Sequence, residues 1–393
     1  MNQKQIARLL VLSASLLCPL AGRTQNAQMH ADELQKKLQA RLQELQEAGG
    51  YPGLTAAIVM PDGQVVSAAA GWADAERKIL MQPSDRMPAG SVGKTFVAAV
   101  ILQAVDDGQL DLDSKIERWL GHEAWFGRLP NAHDLTLRLL LSHRSGIPDN
   151  VTEKEFPHAA ISNLEKDWTP QELIGWVLDK KPLFPAGKKY YYTDINYTVA
   201  GMVFETATGR KLFGEVERRI VKPFGLDQTL PSESRSMKDV VPGELDPSYL
   251  KLKGQTIRDG HFVYNIQIEY AGGGMISTSR DLARWAKLLW EGKVFSPAML
   301  QQMLDAKPDE KGFKYGLGVA VAQSEAGTAY EHDGQIPGYQ TAIIYFPDYK
   351  IAAAVQMNAD QLKRFKVPFE KCIGRVAGVA LKDRLPKKPL PSN

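Results

Sequence analysis

The sequence contains little cysteine: Cys18 and Cys372 are the only two among 393 residues. Cys18 lies in an N-terminal stretch with the composition of an export signal, so removal of that stretch would leave Cys372 alone and exclude an internal disulfide from the mature chain. The hydrophobic core must then stabilise the fold without covalent cross-links. Because Cys372 lies in an apolar pattern of helical spacing, we predict that it is a core residue.

The sequence also lacks a large excess of either sign of charge, and it lacks a cluster of histidines. Lysine and arginine number 48 against 45 aspartate and glutamate, a net charge of +3, with the signs mixed along the chain. This balance excludes the extended basic surface of a nucleic-acid-binding protein, so we expect no nucleic-acid partner. The histidines, His122 and His133 among them, are too scattered among acidic residues to predict a metal site.

The N-terminus has the pattern of a signal peptide. Lys4 and Arg8 precede the apolar residues 9–17, and the small pair Ala21-Gly22 follows. The apolar stretch is too short to cross a membrane. We therefore predict a signal peptide over residues 1–27, a mature chain that is periplasmic or secreted, and no stable membrane span after cleavage. A lipoprotein anchored through Cys18 is disfavoured, because no small residue directly precedes that cysteine.

Hydrophobic periodicity predicts the elements at both ends of the chain. Apolar residues at helical spacing predict a helix over 29–48, and a turn at Pro61-Asp62-Gly63 predicts a hairpin. The middle, roughly 94–270, is predicted to be helical and rich in loops. The predicted hairpin strands are 54–60 and 64–70; the later strands are 329–332, 341–346 and 351–357, followed by a helix from about 359 to 381.

This order of elements predicts an α/β (α+β) fold. Both termini are expected to build an antiparallel sheet flanked by helices, with a mostly helical lobe inserted between them. We place a single domain at 28–384. Its α/β part comprises about 28–90 and 271–384, its helical part about 91–270, and a disordered tail follows at 385–393.

The most informative short motif is Ser91-Val92-Gly93-Lys94. The apolar spacing that follows Ser91 predicts a helix, on which residues i and i+3 are neighbours roughly 5–6 Å apart at Cβ. The Lys94 amine is therefore expected beside the Ser91 hydroxyl. A serine hydroxyl becomes a nucleophile when a neighbouring base takes its proton. A helix cap followed by a surface lysine would give the same four letters.

Two further segments give this motif a context: Tyr192-Thr193-Asp194 and His332-Asp333-Gly334. With Ser91 and Lys94 they resemble the three motifs of the serine beta-lactamase and penicillin-binding-protein superfamily. The resemblance is to the branch that holds class C beta-lactamases, D-Ala-D-Ala carboxypeptidases and beta-lactamase-like esterases. Further family landmarks occur in the same order at 108–113, 135–148, 272–278 and 315–318.

The resemblance implies a beta-lactamase-like fold and a covalent acyl-enzyme mechanism without a cofactor or a metal. It implies that Ser91 is the nucleophile, that Lys94 takes or relays its proton, and that Tyr192 acts with Lys94 and then protonates the leaving group. The backbone N–H groups of Ser91 and Gln335 would form the oxyanion hole. The residues implied to contact substrate are Asp194, His332 and Gly334.

Two residues depart from the family pattern. Asp194 stands where the family usually has asparagine, and an ionised carboxylate accepts hydrogen bonds but does not donate them. Asp194 could instead pair with Lys94. His332 replaces the lysine typical of efficient beta-lactamases, so a carboxylate-bearing substrate would lose a permanent positive charge. Both departures favour a peptidase or an esterase over a specialised beta-lactamase.

The leading hypothesis is a serine hydrolase similar to D-Ala-D-Ala carboxypeptidases or D-amino-acid peptidases, acting on a small molecule or a short peptide. The alternatives are a beta-lactamase-like esterase for short acyl esters, a class C-like beta-lactamase, and a non-catalytic sensor of muropeptides or penicillin. We interpret Tyr190, Tyr191 and Tyr197 as packing residues, and His143 as a hydrogen-bonded core or loop histidine. The sequence does not indicate an oligomeric state.

Overall fold

The computed structural model describes residues 18–237, 239–360, 364–382 and 384–385. Its central element is a nine-stranded antiparallel sheet. The strand order is β3-β2-β1-β14-β13-β12-β11-β10-β9, so the first hairpin pairs directly with the last strand. The strands of this sheet are β1 (Gly53–Val59), β2 (Val65–Asp74), β3 (Ile79–Leu80), β9 (Lys307–Pro308), β10 (Lys314–Tyr315), β11 (Ala320–Ser324), β12 (Gly327–Ile336), β13 (Tyr339–Phe346) and β14 (Ile351–Met357).

The other described strands form two small sheets. One has the order β4-β8-β5 and the other pairs β6 with β7. Their bounds are β4 (Met87–Pro88), β5 (Leu230–Pro231), β6 (Ile257–Arg258), β7 (His261–Phe262) and β8 (Met275–Ser277). The strand β4 leads directly into the turn that carries Ser91, so the three-stranded sheet fixes the entry to that turn.

Helices flank the sheet and fill the middle of the chain. They are α1 (Cys18–Gly49), α2 (Gly93–Asp106), α3 (Glu117–Leu120), α4 (Leu137–Leu141), α5 (Phe156–Ser162), α6 (Pro170–Gly175), α7 (Asp194–Thr208), α8 (Leu212–Val216), α9 (Pro247–Leu250), α10 (Ser279–Trp290), α11 (Pro297–Leu304) and α12 (Glu370–Leu381). None of the helices in the described ranges is long and apolar enough to cross a membrane.

The central strands are buried on both faces because two apolar layers cover the sheet. Ile344 of β13 packs in one layer with Leu42 of α1 and Cys372 of α12, so the predicted burial of Cys372 is confirmed. Ile343, the next residue of β13, packs in the other layer with Trp285 of α10. Side chains alternate between the faces of a strand, so each layer receives every second residue.

The predicted architecture is confirmed, with two differences at the ends. The predicted helix 29–48 extends back to Cys18, into the segment assigned to the signal peptide. The C-terminal helix begins at Glu370, not near Ala359, because Pro368 disfavours helical geometry at the residue before it. Residues 1–17 of the predicted signal and 386–393 of the predicted tail lie outside the described residues. The domain boundaries stay a prediction.

Candidate active site

Ser91 lies in a short 3-10 turn, Gly90–Val92, that runs straight into the buried helix α2. Its side chain is partly exposed. The helix is held by α10: Trp285 Nε1 donates a hydrogen bond to Thr95 Oγ1 at 2.7 Å, and the Trp285 ring stacks on Phe96 with 4.3 Å between centroids. The helix predicted to follow Ser91 is thus confirmed, and its packing fixes the serine at the edge of the core.

Lys94 is fully buried and connects three chain segments. Its Nζ lies 2.9 Å from Ser91 Oγ and 2.5 Å from Asp194 Oδ1, and it also donates to the carbonyl oxygen of Gly272. The expected contact between the Lys94 amine and the Ser91 hydroxyl is therefore present. Burying an ammonium is costly unless it is paired and hydrogen-bonded, and Asp194 and Gly272 supply these partners.

The aromatic ring of Tyr192 makes the contacts that hold this residue beside Lys94. The Lys94 Nζ is 4.9 Å from the Tyr192 ring centroid, the His143 ring stacks on this tyrosine at 4.1 Å, and the Tyr315 ring meets it edge-on at 6.2 Å. The Tyr192 hydroxyl interacts electrostatically with Ser91, but its buried oxygen makes no well-formed hydrogen bond within the described residues. Burial and the carboxylate of Asp194 raise the pKa of Tyr192 well above its ordinary value.

His143 positions this tyrosine segment and has the structural role that we predicted. It is fully buried, and its Nδ1 accepts a hydrogen bond from the Thr193 N–H at 3.3 Å. Thr193 in turn caps α7, because its hydroxyl accepts from the Ile195 N–H. Burial lowers the pKa of His143 well below its ordinary value, so the ring is neutral and accepts through Nδ1.

Strand β12 passes the serine turn at backbone contact distance. A Cβ on Gly334 would lie 2.1 Å from the Ala89 carbonyl oxygen and 2.9 Å from the Ser91 nitrogen. On the other side, Gly90 has φ +52°, and a Cβ there would lie 2.8 Å from the Gln335 nitrogen. The expected proximity of the Ser91 and Gln335 backbones is thus present, and it requires glycine at both positions.

His332 is buried and held by two hydrogen bonds. Its Nδ1 lies 2.6 Å from the Asp333 carbonyl oxygen, so Nδ1 carries the proton. Its Nε2 then accepts from the Tyr315 hydroxyl at 2.7 Å. Burial lowers the pKa of His332 to about 4. The imidazole is therefore neutral near pH 7, while the neighbouring Asp333 is exposed.

Two further carboxyl groups surround the Lys94–Asp194 pair. Asp149 is buried and accepts hydrogen bonds from the Asp194 N–H at 3.3 Å and from the Thr193 hydroxyl at 3.2 Å. Glu269 accepts from the Gly274 N–H at 3.2 Å. Burial, and then the Asp194 carboxylate, raise the pKa of Asp149 to about 7 and that of Glu269 to about 8.

This geometry is that of a serine beside a buried amine, with the backbone of β12 packed against the serine turn. Residues 38–369 match the family described as Beta-lactamase. The chain belongs to the beta-lactamase family. The resemblance in the sequence motifs is thereby confirmed, and so is the predicted fold. Proteins of the beta-lactamase family and fold are serine hydrolases of amide or ester bonds, and the chain is one of them.

Three similar proteins illustrate the range of this family. Penicillin-binding protein 4 of Amycolatopsis lactamdurans is 24% identical over 90% of the chain and 93% of its own length. Penicillin-binding protein 4* of Bacillus subtilis is 22% identical over 74% of the chain, which spans only 64% of that relative. A crystal structure of a D-stereospecific amidohydrolase from a Streptomyces species has a TM-score of 0.74 and 27% identity, covering 87% of the chain and 97% of its own.

Sequence reasoning missed three residues that shape this beta-lactamase-family site: Asp149, Glu269 and Tyr315. The sequence indicates Tyr315 only as part of a family landmark at 315–318. The acids gave a weak signal, since Asp149 follows the segment around His143 and Glu269 precedes the glycine run at 272–274. Tyr190 and Tyr197 pack against His143, in agreement with their predicted role.

Proposed function

We propose that Ser91 is the nucleophile of this serine hydrolase and forms the acyl-enzyme. The observation that carries the proposal is the 2.9 Å contact between Ser91 Oγ and the fully buried Lys94 Nζ. A proton relay needs an acceptor in hydrogen-bond reach of the hydroxyl, and Lys94 is in reach. Lys94 must release a proton before it accepts one from Ser91, and the buried carboxyl groups around it are the acceptors within the site.

Tyr192 would then supply a proton to the leaving group. Because its pKa is raised well above the ordinary value, the phenol stays protonated near neutral pH. A protonated hydroxyl beside Ser91 is suited to donate as the tetrahedral intermediate collapses. The N–H groups of Ser91 and Gln335 would bind the oxyanion, each donor contributing about 10²–10³ in kcat in comparable sites.

The leaving-group side supports a substrate whose departing group is uncharged. This side is the one that carries Tyr192, and its polar groups include the neutral His332 and the exposed Asp333 carboxylate. A D-Ala-D-Ala carboxypeptidase releases a residue that bears a carboxylate, which Asp333 would repel and His332 would not attract. We therefore propose an amidase or peptidase of the D-amino-acid type. The name of the Streptomyces neighbour, a D-stereospecific amidohydrolase, supports an amide substrate.

An esterase is the second candidate, because an alcohol leaving group is also uncharged. We also propose that the protein is exported. It is supported by the predicted signal over residues 1–27 and by the penicillin-binding names of two relatives.

The test compares leaving groups on purified protein. We expect Ser91-dependent release of ammonia from D-amino-acid amides, or of nitrophenol from p-nitrophenyl butyrate, to be faster than release of D-alanine from a D-Ala-D-Ala peptide. Intact-protein mass after incubation with the butyrate ester should show an adduct that Ser91→Ala lacks. Faster release of D-alanine would instead support the carboxypeptidase hypothesis. Rapid Ser91-dependent hydrolysis of penicillin would support a beta-lactamase.

A further inference from the structure

Two cavities meet at Gln335, next to the serine turn. One is lined by Tyr192, His332 and Asp333, and the other by Asp194 and Glu269. Because Tyr192 is the proposed proton donor to the leaving group, the first cavity receives the leaving group. The acyl group of the substrate must then enter the second, which we call the acyl cavity.

The acyl cavity has a volume of about 370 Å³, near the lower end of the range of small-molecule sites, about 300–1,000 Å³. Part of its wall is apolar, and the ionisable groups of the rest are acidic. No lysine, arginine or histidine is among the described residues that line it. The apolar wall includes Phe156, Tyr264 and Ile336, and the carboxyl groups belong to Asp194, Glu269 and Asp360.

The carboxyl groups at the serine end are only partly used by the protein. Lys94 is the one described side chain that hydrogen-bonds Asp194, and it does so through Oδ1. Glu269 accepts a hydrogen bond through Oε2 from the Gly274 N–H at 3.2 Å. Asp360 accepts from the Asp246 N–H at 2.7 Å. Lys94 is the cation near these groups, and its charge partly offsets the rise in the pKa values of Asp149 and Glu269.

An independent observation points to a missing hydrogen-bond donor. Asn150 lines the acyl cavity and is 3% exposed, and its side-chain oxygen has no hydrogen-bond partner within the described part of the chain. A buried acceptor without a donor is costly, roughly 1–3 kcal/mol in proteins generally. A ligand that brings N–H donors and a positive charge would satisfy Asn150 and would favour the ionised form of Glu269, whose pKa burial and Asp194 raise to about 8.

We propose that the acyl cavity binds the free α-ammonium group of an amino-acyl substrate with an apolar side chain, through Glu269, Asp194 and Asn150. The proposal rests on the proposed acyl-enzyme function and names the class of acyl group. The α-ammonium is one carbon from the reacting carbonyl, and Asp194 and Ser91 both contact the Lys94 ammonium, at 2.5 and 2.9 Å. The apolar wall then receives the side chain. An N-acylated amino acid has no charge for these carboxylates.

The first measurement is selectivity in turnover. Each enantiomer of phenylalanine p-nitroanilide and its N-acetyl derivative is given to the wild-type enzyme, to Glu269→Gln and to the exposed control Glu47→Gln. We expect kcat/KM to favour the free amine by at least about tenfold, since hydrogen bonds to charged groups have this magnitude. The ratio should fall in Glu269→Gln and stay unchanged in Glu47→Gln. Equal or better hydrolysis of the acetylated substrate overturns the inference and leaves the acyl-enzyme proposal standing.

The second measurement needs no turnover. Ser91→Ala is titrated calorimetrically with phenylalanine amide and with its N-acetyl form. We expect binding heat with phenylalanine amide and none with its N-acetyl form, and we expect Asn150→Ala to lower the affinity for the free amine at least about tenfold. This result supports the inference even if no substrate is hydrolysed. Asn150→Ala should fold, because the oxygen that it removes has no partner among the described residues. Equal binding of both forms, or binding of neither, overturns it.

Discussion

Replacement of Gly334 by alanine tests the contact that brings the two proposed oxyanion donors together. The added Cβ would lie 2.1 Å from the Ala89 oxygen, 2.9 Å from the Ser91 nitrogen and 3.0 Å from the Val92 nitrogen. All three are backbone atoms, so no side chain can turn away. Because nonbonded heavy atoms settle at about 3.5 Å, β12 must move from the serine turn by about 1 Å.

That displacement should be seen in catalysis more than in stability. A misplacement of about 1 Å costs about 100-fold in rate, and loss of one oxyanion donor costs about 10²–10³ in kcat. Overpacking costs only about 1–3 kcal/mol of unfolding free energy. We therefore expect Gly334→Ala to lower kcat for p-nitrophenyl butyrate at least about 100-fold, with a Tm only a few degrees lower.

A matched control is Gly374→Ala in α12, where an added Cβ meets nothing within 4 Å. This variant should keep the wild-type kcat and gain slightly in Tm, because alanine is favoured over glycine inside a helix. If Gly334→Ala retains the wild-type kcat and Tm, then β12 does not hold the Gln335 N–H against the serine turn, and the assigned oxyanion geometry is wrong.

Three further predictions concern the aromatic and imidazole groups. Tyr192→Phe should lower kcat by about 10²–10⁴ without lowering Tm, because the hydroxyl that it removes is buried and forms no well-made hydrogen bond with a described residue; a large fall in Tm would contradict this. Tyr315→Phe should lower the free energy of unfolding by about 1–3 kcal/mol, since Nε2 of His332 loses its donor; urea titration measures it, and an unchanged midpoint would exclude that role. Because the folded-state pKa of His332 is about 4 against 6.5 unfolded, stability present above pH 6.5 should be lost towards pH 4. Between pH 4 and 6.5 the urea midpoint should therefore depend less steeply on pH in His332→Gln than in the wild type. An equal pH dependence in both proteins would contradict the lowered pKa of His332.

Much of the site could be predicted from the sequence because its parts are local. Ser91 and Lys94 meet through one helical turn, and Tyr192 and Asp194 are placed by the cap that Thr193 provides. The hairpin and the later strands follow from alternation and turn residues. Such features depend on neighbours a few positions apart, which periodicity reports directly.

The electrostatic character of the site was decided by the tertiary structure. The Lys94–Asp194 contact joins residues 100 positions apart, and the Tyr315–His332 bond fixes the tautomer of a histidine that the sequence leaves open. Glu269 carries no motif, and its raised pKa arises from burial and from Asp194. Desolvation and charge proximity depend on which segments meet in space. The sequence by itself therefore determined the family and the fold and predicted the reacting residues, whereas only the folded chain decided which ionisable groups are buried together and where the cavity beside them lies.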